Sequence, residues 1–341
     1  MINKIYDKIK FIIKENYKYV LILIFMLLVL NYPLDYTVMV SGGTIDINDR
    51  IEIEDSTDSK GSFNLAYVTE LRGTIPSLAL SYIIPDWTRV PIEEYQVNKN
   101  ETKQDIITRA KIYLEYSKQA AIKVAYESAN KKFNASNNKF YIVYKSEESD
   151  TNVKIGDILL QAENTNLTSL EQFKEIIESK NVGDTIKLTV QRNEEKIQTD
   201  IKVKEIDKEK LTGISILNLY KYETNPKIDL RFNDNESGSS GGLMLALAIY
   251  DKLVEYDLTN GLKIVGTGTI DFYGNVGQID GVKYKLKGAV NKGADVFLAP
   301  SGKNYKECVE LKNKNGYNIK IIEVKHFDDA IRSLKQLYVN R

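Results

Sequence analysis

Residues 235–242 read Asn-Glu-Ser-Gly-Ser-Ser-Gly-Gly and run straight into Leu-Met-Leu-Ala-Leu-Ala-Ile-Tyr at 243–250. Glycine has no Cβ and tolerates positive φ, so such a loop lets its backbone approach a substrate closely. The first N–H groups of a helix lack partners within it and carry partial positive charge. A hydroxyl at this junction stands where a nucleophile would act, and Ser237, Ser239 and Ser240 are candidates. The same residues also suit a flexible loop with a serine N-cap. A nucleophile needs a base, and the helical stretch 282–292 offers one. At ~100° per residue Val282, Leu286 and Ala289 share one face, with Lys285 among them and Lys283 and Lys287 off it. Burial disfavours an ammonium, drawing its pKa from ~10.4 toward the ~7–8 that suits a general base, at about 4 kcal/mol. A lysine that lays its stem on the core and keeps its amine in water fits the spacing equally.

Other chemistries are narrowed by composition. Lys+Arg and Asp+Glu both number 47, so the 341-residue chain has no net charge and lacks the basic excess of a nucleic-acid footprint. The single cysteine, Cys308, and single histidine, His326, leave no disulfide framework and no multi-Cys or His-rich metal site. A Ser-His-Asp triad would have to use His326, which reads as an ordinary surface residue ahead of the helical stretch 328–337. No G-x-x-x-x-G-K-[ST] run occurs, so ATP is not expected. No metal or other cofactor is expected.

The elements that must position Ser240 and Lys285 lie at about 207–341. Strands are expected at 228–232, 263–270, 293–300 and 319–324, and helices at 243–256, 282–292 and the C-terminus, an alternation of α/β or α+β type. Upstream, 102–131 has helical spacing through Ile106, Ile107, Ala110, Tyr113, Tyr116, Ala120, Ala121 and Val124. Residues 35–112 read as a β-rich connecting region, with strands at 36–40, 45–53 and 63–71, a polar turn at 55–62 and a loop at 82–87. Between them come a strand at 140–144, a Gly156-Asp157 turn, a helix from Ser169 with Gln172 in a capping box, a Gly183-Asp184 turn, and a hairpin through Asn193-Glu194. This ordered set resembles bacterial PDZ domains, which take extended peptides by adding a strand to a sheet edge.

At the amino terminus, Tyr19 to Leu30 is an unbroken apolar run, short of the ~20 residues of a span unless extended through Tyr32, Pro33 and Leu34. Lys4, Lys8, Lys10, Lys14 and Lys18 precede it, and the next basic residue is Arg50. By the positive-inside rule the N-terminus is cytoplasmic and the rest outside. An uncleaved anchor is favoured over a signal peptide, because no small-x-small site follows closely.

Three ordered motifs carry a second resemblance. Gly238-Ser239-Ser240-Gly241-Gly242 is similar to the G-P-S-A-G loop of Lon-type serine proteases, Gly266-Thr267-Gly268-Thr269-Ile270 to their T-G-E/T-I strand, and 279–285 to their I-G-G-x-x-x-K segment. With Pro33-Leu34-Asp35-Tyr36 and Lys60-Gly61-Ser62-Phe63, nearly the whole chain resembles the membrane-anchored PDZ–Lon proteases of Gram-positive bacteria, the SepM-like group.

That resemblance implies an α+β multidomain chain. Its parts are a cytoplasmic tail and transmembrane anchor (1–34), the connecting region (35–112), a PDZ domain with its preceding helix (113–206) and a Lon-type α/β proteolytic domain (207–341). It implies an ATP-independent endopeptidase with catalytic Ser240 and Lys285, supported by Thr267, Gly238, Ser239 and Gly241. Such an enzyme would sit in the cell membrane, single-pass, with its catalytic domain extracellular. Its partners would be peptide or protein substrates delivered through the PDZ groove and the cytoplasmic membrane, with a homo-oligomer left open. The chain departs from the motifs at Ser239, Gly241 and Asp280, where relatives carry proline, alanine and glycine. A catalytically inactive, membrane-anchored peptide-binding scaffold is the alternative.

Overall fold

The computed structural model describes residues 6, 10–11, 13–54, 56 and 58–339. Lys4 and Lys8 of the basic flank, and Asp55 and Thr57 of the expected turn, lie outside them. In chain order the first elements are α1 (Tyr17–Leu30), β1 (Tyr36–Asp46), β2 (Ile51–Ile53), β3 (Ser62–Arg72), α2 (Ile75–Ile83), β4 (Thr88–Pro91) and α3 (Lys103–Ser128). Next come β5 (Lys132–Lys145), β6 (Ile158–Ala162), β7 (Thr165–Asn166), α4 (Leu170–Ser179), β8 (Thr185–Arg192), β9 (Glu195–Lys202), β10 (Lys204–Ile206), β11 (Glu209–Leu211), β12 (Ile214–Asn225) and β13 (Ile228–Leu230). The last are α5 (Gly242–Leu253), β14 (Lys263–Gly266), β15 (Thr269–Ile270), β16 (Val276–Gly277), α6 (Val282–Asn291), β17 (Val296–Pro300), α7 (Lys303–Asn315), β18 (Lys320–Val324) and α8 (Phe327–Val339). Two units divide the chain: Met1–Ser41 with Thr69–Tyr95, and Gly42–Val68 with Gln96–Arg341.

In the first unit the expected transmembrane anchor is not found. Helix α1 has 14 residues, a rise of about 21 Å against the ~30 Å of a bilayer core. The expected extension through Pro33 does not form: the Asn31 side chain caps the Leu27 carbonyl, and the Leu34 N–H donates to the Gly73 carbonyl instead. Among the described residues no helix is long and apolar enough to cross a membrane. This overturns the transmembrane part of the expected fold class, and with it the single-pass cell-membrane location with an extracellular catalytic domain. Of the loop expected at 82–87, Tyr82 and Ile83 instead end helix α2, which a Thr74–Ser77 capping box starts. The strand expected over 45–53 is broken by a 3-10 turn at Ile47–Arg50, because the Asp46 carboxylate accepts from the Asn48 N–H.

In the second unit β14 pairs in parallel with β3 on one side and β17 on the other, and β17 with β18. Parallel neighbours need crossovers, which α6 and α7 supply. Both faces of this sheet are covered, so its strands are apolar at successive positions. Ile264, Val296 and Leu298 pack with Phe63, Leu243 and Leu247 on one face; Val265, Phe297 and Ala299 pack with Val282, Leu286 and Ala289 on the other. Helix α5 is buried almost throughout. Helix α3 lays Ala120, Ala121, Val124 and Ala125 on the first of these cores.

A separate core, built on Phe140, Ile142, Leu159, Phe173, Ile186, Leu188 and Val190, lies in the sheet ordered β12-β5-β6-β8-β9. Both glycine–aspartate corners share one construction. Gly156 and Gly183 take φ of 93° and 94°, a region that favours glycine, and each following aspartate accepts a backbone N–H three residues back. The Ser169 hydroxyl caps α4 by accepting from the Gln172 N–H, while the Gln172 side chain reaches the N–H of Thr168.

Candidate functional site

Three elements converge at the carboxyl end of β14, the place where α/β sheets characteristically leave a crevice. Ser240 closes the loop before α5, Thr267 directly follows β14, and Lys285 lies one turn into α6. Lys285 Nζ is 2.8 Å from Ser240 Oγ and 3.1 Å from Thr267 Oγ1. Thr267 is fully buried, and Lys285 is 4% exposed where Lys283 on the same helix is exposed. Of the three candidate serines, Ser240 is the one whose hydroxyl meets the lysine; Ser237 is exposed.

The loop is held by its carbonyls. Ser240 O accepts from the Gly268 N–H at 2.7 Å and from Thr267 Oγ1 at 3.0 Å. Ser239 O accepts from the Gly242 N–H at 3.2 Å and from Ser117 Oγ of α3, also at 3.2 Å. The Gly238 N–H donates to Ala110 O of α3 at 3.0 Å. In a trans peptide the C=O and N–H point in opposite directions. The N–H groups of Ser240 and Gly241 are therefore turned away from these anchors, and neither has a hydrogen-bond partner among the described residues.

Each loop glycine answers a different need. Gly238 has φ of 87°, strained for any other residue. Gly241 sits at φ −96° and ψ −2°, open to any residue, but a Cβ there would lie 3.0 Å from both Leu65 Cδ atoms. Leu65 thus fills the room that a side chain at position 241 would use. At Gly242 a Cβ would come within 2.5 Å of Ser117 Oγ and 3.1 Å of the Ile270 N.

Burial lowers the Lys285 pKa to about 8, while the negative charge of exposed Asp280 pulls it upward. The amine is thus neutral in an appreciable fraction of molecules near neutral pH. A neutral amine has a lone pair that can take a hydroxyl proton at hydrogen-bond distance. His326 is not part of this constellation: its Nε2 donates to Tyr273 O at 2.8 Å and its Nδ1 accepts from the Asp328 N–H. No group of His, Cys, Asp and Glu that could hold a metal occurs among the described residues.

Sequence reasoning did not single out Ser117 or Leu65. The signal for Ser117 is a lone small hydroxyl in the apolar stripe that runs through Ala110, Tyr113, Ala120 and Val124. Nothing in the spacing of Leu65 marks it. A cavity of about 310 Å³ opens beside the loop, lined by Tyr113, Tyr116, Ser239, Ile270 and Val276 among others.

A buried amine on a serine hydroxyl, at the head of a helix and the ends of parallel strands, defines one candidate site; the separate small sheet domain is a second. The family model of the PDZ domain matches residues 133–203, so a PDZ domain occupies that stretch. Among solved structures, the PDZ domain of the SdrC-like protein from Listeria monocytogenes is 26% identical, over 25% of this chain and 93% of that one, with a TM-score of 0.23. The second domain of a further Listeria protein is 23% identical, over 25% and 86%, with a TM-score of 0.20. No curated protein matches the chain. PDZ domains bind peptides or proteins, which is consistent with a protein partner for this chain. In this domain β5 carries β12 along one edge, and β6 at Phe140 and Tyr141 on the other. Among the described residues, no strand pairs with the rest of that second edge, at 132–138.

Proposed function

We propose that the chain is an ATP-independent serine endopeptidase of the Lon-type kind, with a Ser240–Lys285 dyad and a PDZ domain that captures peptide substrates. The observation that carries this reading is the 2.8 Å approach of the buried Lys285 amine to Ser240 Oγ. Neutral Lys285 takes the Ser240 proton as Oγ attacks a peptide carbonyl carbon. The unpaired N–H groups of Ser240 and Gly241 receive the oxyanion. The lysine then returns its proton to the departing amine, leaving an acyl-serine, and activates a water that hydrolyses it. Thr267 fixes both partners at once, accepting from the Lys285 amine and donating to the Ser240 carbonyl. The cavity beside Ser239 has about twice the ~150 Å³ that encloses a benzene ring, room for an apolar side chain next to the scissile bond. The open β5 edge at 132–138 is where a peptide would add as a strand.

Wild type, Ser240→Ala and Lys285→Ala are to be compared on a library of unstructured peptides. Cleavage by wild type and loss by at least ~10³-fold in both variants is expected, as for a nucleophile and its base. Equal processing by all three would sink the protease reading and leave a PDZ peptide-binding module, the reading favoured by the family match at 133–203.

A further inference from the structure

Helix α3 precedes the PDZ strands in sequence and lies outside the stretch that carries Ser240, Thr267 and Lys285. It nevertheless touches the nucleophile loop at two points, Ala110 O on the Gly238 N–H and Ser117 Oγ on Ser239 O. A buried helical serine ordinarily turns its hydroxyl back onto the carbonyl three or four residues earlier. Ser117, 2% exposed, instead reaches a carbonyl 122 positions away. The missing Cβ of Gly242 leaves the space for it, since a Cβ there would stand 2.5 Å from Ser117 Oγ.

The consequence follows from peptide planarity. Ser239 C=O and Ser240 N–H belong to one rigid trans unit. Two donors on that carbonyl, Ser117 Oγ and the Gly242 N–H, fix the plane and hence the direction of the Ser240 N–H. We propose that Ser117 is a positioning residue of the nucleophile loop, whose hydroxyl aims the Ser240 N–H at the oxyanion by holding the Ser239 carbonyl toward α3. This rests on the Ser–Lys reading. With only the Gly242 N–H left, the plane can rock. The donor is then misdirected rather than deleted, so the loss should be smaller than the ~10²–10³-fold of removing an oxyanion donor outright, roughly 10-fold in kcat.

Two variants of the full chain test it. Ser117→Ala removes the hydroxyl; Ser117→Cys keeps the volume with a much weaker donor. Rates are normalised to the Ser240 sites titrated by a covalent serine-directed probe. Both variants are expected to lose about 10-fold in kcat with KM within twofold of wild type. A peptide aldehyde, which forms a tetrahedral adduct on the serine, should lose affinity by the same factor as kcat/KM. A packing role alone would spare the cysteine variant or lower only the number of titrated sites, and either result overturns the proposal. Wild-type turnover with Ser117→Ala at full kcat overturns it while leaving the dyad intact. If wild type neither cleaves peptides nor binds the aldehyde, the dyad reading falls first and takes this one with it.

Discussion

On the proposed Ser240–Lys285 reading, Lys285 sets the pH dependence of turnover. Its pKa of about 8 lies below that of an exposed lysine because burial penalises the ammonium, and Asp280 partly offsets this. With the neutral amine as base, kcat/KM should climb about tenfold per pH unit up to about 8 and level off above it. Asp280→Gly removes the charge that favours the ammonium. Its acid limb should therefore move to lower pH, and a limb that stays put or moves upward contradicts the assignment. Stability follows the same logic. The unfolded chain binds the lysine proton more tightly, so the penalty is fully present below about 8 and disappears as pH rises toward ~10.4. Lys285→Met should accordingly abolish turnover yet stabilise the fold at pH 7 by about 3 kcal/mol, with the gain shrinking at pH 10. Urea unfolding at both pH values checks this.

The junction of loop and α5 depends on two adjacent glycines with unequal surroundings. At Gly241 the backbone is permissive, and the obstacle is the mobile end of Leu65, 3.0 Å from a built Cβ. At Gly242 the obstacles are Ser117 Oγ at 2.5 Å and the Ile270 backbone N at 3.1 Å, which cannot swing aside. Gly241→Ala should therefore retain activity within a fewfold and recover fully when combined with Leu65→Val. Gly242→Ala should lose about 1–3 kcal/mol of stability and most turnover, by forcing α3 off the loop. Equal activity of the two single variants would contradict this account. The sequence pattern shows why some of this was readable and some was not. Lys285 is legible from its place among Val282, Leu286 and Ala289, because helix periodicity is local. Leu65 and Ser117 act on the loop from 175 and 123 residues before Ser240, and no local pattern reports such a contact. The expected extension of α1 through Leu34 fails for a related reason: the Leu34 N–H bonds to the Gly73 carbonyl, a non-local partner.

The PDZ part and the part that carries α5 and β14 pack around separate cores with different legibility. The PDZ part was readable because its two glycine–aspartate corners and alternating strands are short-range signals. Its place beside β12 was not, since that strand comes from beyond the matched residues. The PDZ core around Phe140, Leu159 and Ile186 shares no residue with the core that holds α5 and β14. One electrostatic feature belongs to the PDZ part alone. Asp157, 1% exposed, is gripped by Arg192 through two bonds of 2.7 Å, and its carboxylate also holds the Lys154 N–H at the first corner. Removing one partner of such a pair leaves a buried charge uncompensated, a loss of about 3–5 kcal/mol. Arg192→Ala should therefore lower the stability of the PDZ part by about 3 kcal/mol, seen as faster amide exchange at Ile186, Leu188 and Val190 but not along α5. Peptides that depend on PDZ capture should show a raised KM, while a short peptide that needs only the cleft is turned over within twofold of wild type. Uniform loss of protection across both cores would show a single cooperative unit. Unchanged KM for every peptide would show that the PDZ domain does not feed the Ser240 site.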